Sequence, residues 1–128
     1  MGTQALSTRE DLAEKIDAFV SRFGRLQDHI GEKLIPRFAA LLGSAPKSLL
    51  DNLTYAEKAG WIDSAEEFVG ARKLRNLLVH EYMAEAELFQ EALQAADRAT
   101  QMLIDVVTRI KQQADTLDIK LDSSGPLR

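Results

Sequence analysis

The sequence predicts an all-α protein, an up-and-down bundle of four to five helices. Apolar residues recur at intervals of three and four over long stretches, as they do along the buried face of an amphipathic helix. No stretch alternates between apolar and polar residues in the manner of a half-buried strand, and no internal repeat is present. Short connections between such helices are typical of an up-and-down bundle.

The first helix is predicted to begin at about Thr8. Ser7 and Glu10 have the spacing of a capping box, in which both side chains satisfy backbone N–H groups left free at a helix start. An apolar stripe then runs unusually far, through Leu12, Ile16, Phe19, Phe23, Leu26, Ile30 and Leu34. Pro36 cannot donate a backbone hydrogen bond, which predicts a kink or a break, with helix continuing over residues 37–42.

A second start lies beyond the first clear loop, residues 43–46. Ser48 stands three residues before Asp51, the spacing of a side-chain cap on a helix. Gly60 should end this short helix, because glycine tolerates the positive φ that often follows a helix end.

The third start, Ser64 with Glu67, again has the form of a capping box. This helix should run to about His80. A last helix is then predicted over residues 85–117, with apolar side chains at helical spacing.

Length and composition indicate one soluble domain. A chain of 128 residues fits a single domain that buries roughly two thirds of its unfolded surface, with residues 1–7 and 118–128 expected to be loose. Hydrophobic residues make up 45% and charged residues 28%, which is ordinary for globular proteins. No apolar run approaches the length of about 18 residues that a membrane span needs.

The remaining composition limits the chemistry. Residues 1–7 lack the basic and apolar segments of a secretory signal, so a cytoplasmic location is expected. With no cysteine and only two histidines, His29 and His80, we expect neither a metal site nor a bound cofactor. A net charge of −4 argues against a broadly basic nucleic-acid binder, but it leaves room for a local basic pocket.

Functional side chains are concentrated along and just after the third predicted helix, the one that begins at Ser64. Its polar residues are Arg72, Lys73, Arg75, Asn76, His80 and Tyr82. Two arginines beside an imidazole, without a carboxylate cluster, suit an anionic ligand better than a metal ion. The sequence therefore predicts a phosphate site on this helix.

The spacing of these residues sets a geometric condition. Arg72, Asn76 and His80 follow one another at intervals of four, so on a regular helix they share one face. Arg75 lies about 140° from His80 around the helix axis, at about 100° per residue. Arg75 and His80 can therefore converge on one ligand only if the helix ends near His80, or if a two-fold dimer supplies a second copy.

The run from Arg75 to Tyr82, Arg-Asn-Leu-Leu-Val-His-Glu-Tyr, resembles a known signature. Arg-x-x-x-x-His is the motif of the HEPN superfamily, and the fuller form Arg-Asn-x-x-x-His-x-Tyr is similar to that of HepT toxins, which are encoded beside minimal nucleotidyltransferases. The resemblance implies a HEPN-like helical bundle, one domain over residues 1–128, and a symmetric homodimer. It also implies a metal-independent endoribonuclease that acts as the toxin of a toxin–antitoxin pair, with transfer RNA as a family substrate.

The resemblance also implies roles for particular residues. Arg75, Asn76 and His80 match the catalytic positions, and the neighbouring Arg72 and Lys73 are candidates for substrate binding. Tyr82 stands where the partner nucleotidyltransferase, the antitoxin, transfers adenylate in HepT-like pairs. Some HEPN relatives are instead thought to be non-catalytic subunits that bind a nucleotide or substrate for a nucleotidyltransferase, and the motif does not separate the two functions.

Ordinary structural roles are the alternative for each residue. His80 can cap its helix, Arg75 can form a structural ion pair, and Arg72 and Lys73 can be solvated charges. Tyr82 can be an amphipathic residue at a helix end. A purely structural helical dimer would account for the apolar pattern alone.

Three residues of the first helix are left undecided by their spacing. Asp28 and Glu32 are compatible with a position at the border of the site, but nothing in the sequence requires it. His29 lies beside the apolar stripe and is interpreted as a surface or packing residue.

Overall fold

Every element of the structure, a computed structural model, is helical. It describes residues 2–45, 48–80 and 85–117, with the backbone alone described for residues 2–8 and for His80. The elements are α1 (Gly2–His29), a π-helical segment (Ile30–Leu34), α2 (Ile35–Leu41), α3 (Leu49–Ala59), α4 (Ala65–His80) and α5 (Ala86–Thr116). The prediction of an all-α helical bundle is confirmed.

Helix α1 begins earlier than predicted. It starts at Gly2 rather than near Thr8, so residues 2–7, which we expected to be loose, are helical. The segment includes good helix formers such as Gln4, Ala5 and Leu6 and no proline. Adding residues to an existing helix costs far less than starting a new one, so the helix extends past the capping box. The expectation for residues 118–128 concerns a part of the chain outside the described residues.

The π-helical segment explains how the chain passes Pro36 without a break. The N–H of Ile35 donates to the carbonyl of Ile30, five residues back, which is the hydrogen bond of a π turn. A proline in a regular α-helix clashes with the carbonyl four residues before it. The wider turn relieves that clash, so α1, the π segment and α2 form one continuous rod.

The predicted helix ends of α3 and α4 are confirmed. Ser48 Oγ accepts the N–H of Asp51 at 3.2 Å, and Ser64 Oγ accepts the N–H of Glu67 at 3.1 Å. Gly60 follows α3 with φ of 85°, in the left-handed region that favours glycine. Short side-chain caps therefore fix where both helices begin, and the glycine fixes where α3 ends.

The core lies where the long rod meets α3, α4 and α5. Helix α1 packs on α4 and α5, α2 packs on α3, and α4 packs on both α3 and α5. The largest side chains that are fully buried are Trp61, Phe23, Phe38, Phe68, Ile30, Ile35, Leu53 and Leu103. The rings of Phe38 and Trp61 lie 4.8 Å apart and anchor α2 against the turn after α3.

Polar contacts bind that turn to α5. The indole N–H of Trp61 donates to Oε1 of Gln113, and Arg109 Nη1 donates to Oδ1 of Asp63 at 2.8 Å. This hydrogen bond with Asp63 and the nearby charge of Asp105 raise the pKa of Arg109 above its ordinary value. The turn between α3 and α4 is therefore held to α5 through one part-buried and one exposed contact.

Among the described residues, no helix combines the length and the apolar character that crossing a bilayer would require.

One fully buried side chain is polar and unpaired. Gln27 on α1 has no exposed surface, and neither its amide nitrogen nor its amide oxygen has a hydrogen-bond partner among the described residues. An unsatisfied buried polar group costs about 1–3 kcal/mol. The burial of Gln27 therefore lowers the stability of the fold.

We predict that Gln27→Met raises the free energy of unfolding by about 1 kcal/mol, because methionine has a similar shape and leaves no polar atom unsatisfied. The same substitution at the partly buried Gln113 should lower it by about 1–3 kcal/mol, because the indole N–H of Trp61 loses its acceptor. Urea unfolding of the two variants and the parent measures both changes. A loss of stability in Gln27→Met would contradict the assignment of Gln27 as unpaired.

Candidate anion-binding site

Two glycines, Gly24 of α1 and Gly31 of the π segment, bring the rod close to α4. A Cβ added to Gly24 would lie 3.0 Å from Nε of Arg75, and one added to Gly31 would lie 3.0 Å from Cε1 of Phe68. Gly24 precedes Gly31 by seven residues while Arg75 follows Phe68 by seven, so the two helices run antiparallel in matched register. The side chain of Arg75 therefore lies directly against the backbone of α1.

This contact places both arginines of the motif helix beside carboxylates of α1. Asp28 lies between them, with Oδ2 at 3.2 Å from Nη2 of Arg75 and Oδ1 at 3.8 Å from Nη1 of Arg72. Arg72 Nη1 also lies 3.7 Å from Oε2 of Glu32. Asp28 and Glu32, which the sequence left undecided, therefore border the candidate site, and Arg72 is an ion-paired residue rather than a solvated charge.

The hydrogen bonds of Arg75 leave part of its guanidinium unused. Nη2 donates to Asp28, and Nη1 donates to Oδ1 of Asn76 at 3.3 Å. Nε is buried and has no partner among the described residues. Since a guanidinium carries five N–H groups, one on each terminal nitrogen is left over for a ligand.

Arg75 lines a groove of about 460 Å³ between α1, the end of α4 and the start of α5. The polar lining residues are Asp17, Ser21, Arg25, Asp28 and Arg75, and the apolar ones include Ile16, Val20, Leu78, Val79 and Phe89. Such a groove combines two arginines and two aspartates with apolar walls, an arrangement that suits a ligand with a polar, charged end and a flat apolar body.

The structure places the predicted site residues as follows. Arg75 and Asn76 are in contact, and Arg72 reaches the same aspartate as Arg75. Lys73 is exposed and makes no ion pair among the described residues. Helix α4 is described as far as His80, and the residues that follow, 81–84, lie outside the described part of the chain. The side chain of His80 and the whole of Tyr82 lie outside what the structure describes.

Sequence reasoning missed the part that α1 contributes. Gly24, Asp28 and Glu32 follow one another at intervals of four, so they form one row on the side of α1 next to its apolar stripe. A glycine and two acids on one helix face allow close contact with a basic helix. The pattern does not show which helix makes that contact, so it becomes informative only when the partner helix is known.

The ion pairs of the site are open to exchange. The side chains of Arg72, Arg75 and Asp28 are 31%, 29% and 37% exposed. Partly exposed pairs of this kind contribute only about 0–1 kcal/mol. A phosphate that offers two oxygens to one guanidinium can therefore compete with Asp28 for Arg75.

Within the described residues, no group of three or more histidine, aspartate or glutamate side chains is placed to hold a metal ion. Comparisons of the chain with protein-family models, with curated proteins and with solved structures find no match.

Proposed function

We propose that this chain is a metal-independent endoribonuclease of the HEPN type, the toxin of a pair with a minimal nucleotidyltransferase as antitoxin. The observation that carries the proposal is the position of Arg75. Within the Arg-Asn-x-x-x-His-x-Tyr motif, its guanidinium is fixed by Asp28 and Asn76 at the wall of a groove and keeps N–H groups for a phosphate. Helix α4, which carries it, is described as far as His80.

The proposed reaction uses the 2′-hydroxyl of RNA as the nucleophile. The 2′ oxygen forms a bond to phosphorus and the bond from phosphorus to the 5′ oxygen breaks, giving a 2′,3′-cyclic phosphate and a 5′-hydroxyl. One His80 accepts the proton of the 2′-hydroxyl, and the second His80 of a dimer donates a proton to the departing 5′ oxygen. Arg75 binds two phosphate oxygens and stabilises the charge that develops on them.

Neighbouring residues set the charge and orientation of this site. Asn76 accepts a hydrogen bond from Arg75 through Oδ1, which holds the guanidinium plane and leaves the amide N–H groups for the phosphate or the imidazole. Asp28 neutralises Arg75 in the free protein and is displaced when a phosphate binds. Arg72 and Lys73, three and two residues before Arg75 on α4, contact the backbone of the bound RNA.

We predict that the purified protein cleaves RNA in EDTA and leaves 2′,3′-cyclic phosphate ends. Arg75→Ala and His80→Ala should each lower the rate at least about 100-fold, since each removes charge stabilisation or proton transfer in the transition state. Gly24→Ala should also lower the rate, because its methyl group displaces Arg75. Gel analysis of total RNA and mapping of the product ends measure these effects.

Two control variants match these substitutions. Arg98→Ala removes an exposed arginine that has no ion pair among the described residues, and Gly70→Ala adds a methyl group where nothing lies within 4 Å. Both should cleave as the parent does. If the folded parent, free of adenylate, is as inert as the Arg75→Ala variant, the nuclease proposal is overturned.

The proposal includes a two-fold homodimer across the Arg75 groove. Three large apolar side chains on the helices around it are exposed, Leu12 by 57%, Val79 by 48% and Leu88 by 47%. Ile16, one turn after Leu12 on α1, and Phe89, the residue after Leu88 on α5, line the groove itself. A second copy that covers this surface would bury the apolar residues and bring a second His80 to the cleft.

We predict that the parent sediments as a dimer and that Leu12→Glu combined with Leu88→Glu sediments as a monomer with little nuclease activity. Charged side chains on this surface would have to be desolvated in the interface. Leu50→Glu is the control, because Leu50 on α3 is 60% exposed but lies outside the groove. A parent that is monomeric at the concentrations where it cleaves RNA would rule out the shared cleft.

Tyr82 is the proposed site at which the antitoxin acts. Transfer of adenylate from ATP to its hydroxyl, with release of pyrophosphate, would place a bulky anion beside Arg75 and His80, where it occupies the phosphate site and repels RNA. Incubation with the partner nucleotidyltransferase and ATP should add one adenylate to the intact mass of the parent and none to that of Tyr82→Phe. An unchanged parent mass would remove this part of the proposal.

A second candidate function is a non-catalytic subunit that binds a nucleotide for a nucleotidyltransferase. The size of the Arg75 groove favours it, since about 460 Å³ lies within the range of small-molecule sites. The two candidates differ in a direct way. A binding subunit would hold a nucleoside monophosphate in calorimetry, with loss of binding in Arg75→Ala, yet leave RNA intact.

A further inference from the structure

A row of basic side chains follows the rod formed by α1, the π segment and α2. Its members are Arg22, Arg25, His29, Lys33 and Arg37, at intervals of three, four, four and four, and all five are exposed. At about 1.5 Å per residue the row extends over roughly 22 Å, with about 6 Å between neighbours four residues apart. Basic residues at this spacing form one line on the helix surface.

The charges of this basic row are not neutralised by ion pairs. Among the described residues, none of its members forms a salt bridge, and Arg25 donates to a neutral partner, Ser21 Oγ, at 2.6 Å. The adjacent acids, Asp28 and Glu32, are instead paired with the arginines of α4. The arginine and lysine side chains of the row therefore form a strip of positive charge on a chain whose net charge is −4.

The π segment keeps the basic row straight. In a regular α-helix, each step of four residues overshoots a full turn by about 40°, so residues eight apart diverge by about 80°. The steps from His29 to Lys33 and on to Arg37 pass through Ile30–Leu34, where each turn holds more residues. The overshoot is reduced there, and the row stays on one side of the rod.

Two grooves border the basic row and share His29 and Lys33. One, of about 880 Å³, is lined by four members of the row together with Phe19, Leu26 and Thr100, and by the two acids that pair with α4, Asp28 and Glu32. The other, of about 630 Å³, lies beside α2 and adds Leu34, Phe38 and Leu41. The half-buried ring of Phe19 is nearly parallel to that of Phe23, 8° from coplanar with centroids 6.3 Å apart. An aromatic ring and exposed apolar side chains thus accompany the line of cations.

We propose that the basic row and its two grooves bind a single strand of RNA as it leaves the Arg75 groove. The cations contact successive phosphates, and bases stack on Phe19 or lie against Leu41. Arg25 and Asp28 line both the Arg75 groove and the larger groove of the row, so the two surfaces are continuous. The inference rests on the proposed function, because it concerns RNA that enters the same site.

The grooves favour a single strand over the other polyanions. Bases of a duplex are stacked inside it and cannot reach an apolar groove, whereas those of a single strand are free to do so. An acidic protein segment would form ion pairs with the cations but would supply no base to stack on the exposed part of the Phe19 ring. Both polyanions are therefore controls in the test.

The test is fluorescence anisotropy with a labelled 2′-O-methyl RNA of about 15 nucleotides, which cannot be cleaved because it lacks the free 2′-hydroxyl. The variant Lys33→Gln/Arg37→Gln removes two cations of the row, and Lys58→Gln/Arg98→Gln removes two exposed cations elsewhere. Each phosphate contact with a single strand contributes about 0.7 to the slope of log affinity against log salt. The row variant should therefore lose about 1.4 of slope and about 25-fold in affinity at 0.1 M salt, while the control variant binds as the parent does.

Two outcomes overturn the inference. One is a row variant that binds with the slope and affinity of the control variant. The other is displacement of the RNA by poly-glutamate, or by the same sequence as a duplex, as readily as by unlabelled single strand.

A cleavage assay separates this inference from the proposed function. A dinucleoside monophosphate has a single phosphate, which Arg75 would hold, so it offers none to the basic row; its cleavage should be unchanged in Lys33→Gln/Arg37→Gln and lost in Arg75→Ala. If RNA binding depends on the row but the protein cleaves no RNA, the inference about the row is supported and the nuclease proposal is overturned. If cleavage depends on Arg75 but RNA binding does not depend on the row, the nuclease proposal is supported and the inference about the row is overturned.

Discussion

The close antiparallel contact between α1 and α4 is the constraint on which the other features depend. It exists because Gly24 and Gly31 offer no side chain where Arg75 and Phe68 approach. The contact buries Phe68 in the core at one end, and it lays a cationic side chain on bare backbone at the other. The same side of α1 also buries Gln27, whose side chain has no hydrogen bond among the described residues and therefore lowers the stability of the fold. Core and site are thus two ends of one interface.

Much of the fold could be predicted from local sequence, because helix ends are set by local chemistry. Ser48, Gly60 and Ser64 act as the sequence predicts, since each needs only its own backbone neighbours. The start of α1 was placed wrongly at Thr8, because a capping box does not stop a helix that can extend beyond it. The pairing of Asp28 with both arginines could not be predicted. Register between helices depends on which side chains interlock, and the periodicity of a single helix contains no such information.

The net charge of the chain is a poor guide to its surface. Charges separated by more than about 8–10 Å of salt solution act almost independently. The net charge summed over all 128 residues therefore does not give the local charge of any one part of the surface. Asp28 and Glu32, on the side of the rod that faces α4, pair with Arg72 and Arg75, whereas the cations on its outer side have no ion-pair partner in the described part of the chain. One helix therefore has two electrostatic faces, and the proposed path of RNA runs from one to the other.

The π-helical segment also limits how this protein can change its length. A π turn holds one residue more than an α turn, so removing one residue from Ile30–Leu34 would leave an α turn and would hardly rotate α1 relative to α2. Pro36 would then clash with the carbonyl four residues before it, the clash that the wider turn relieves. A residue removed from the middle of α1 would instead rotate the part of the helix before it by about 100° relative to α4. The connection between α2 and α3 imposes no rotation on either helix and can accept added residues. Insertions and deletions in related chains should therefore collect in that connection.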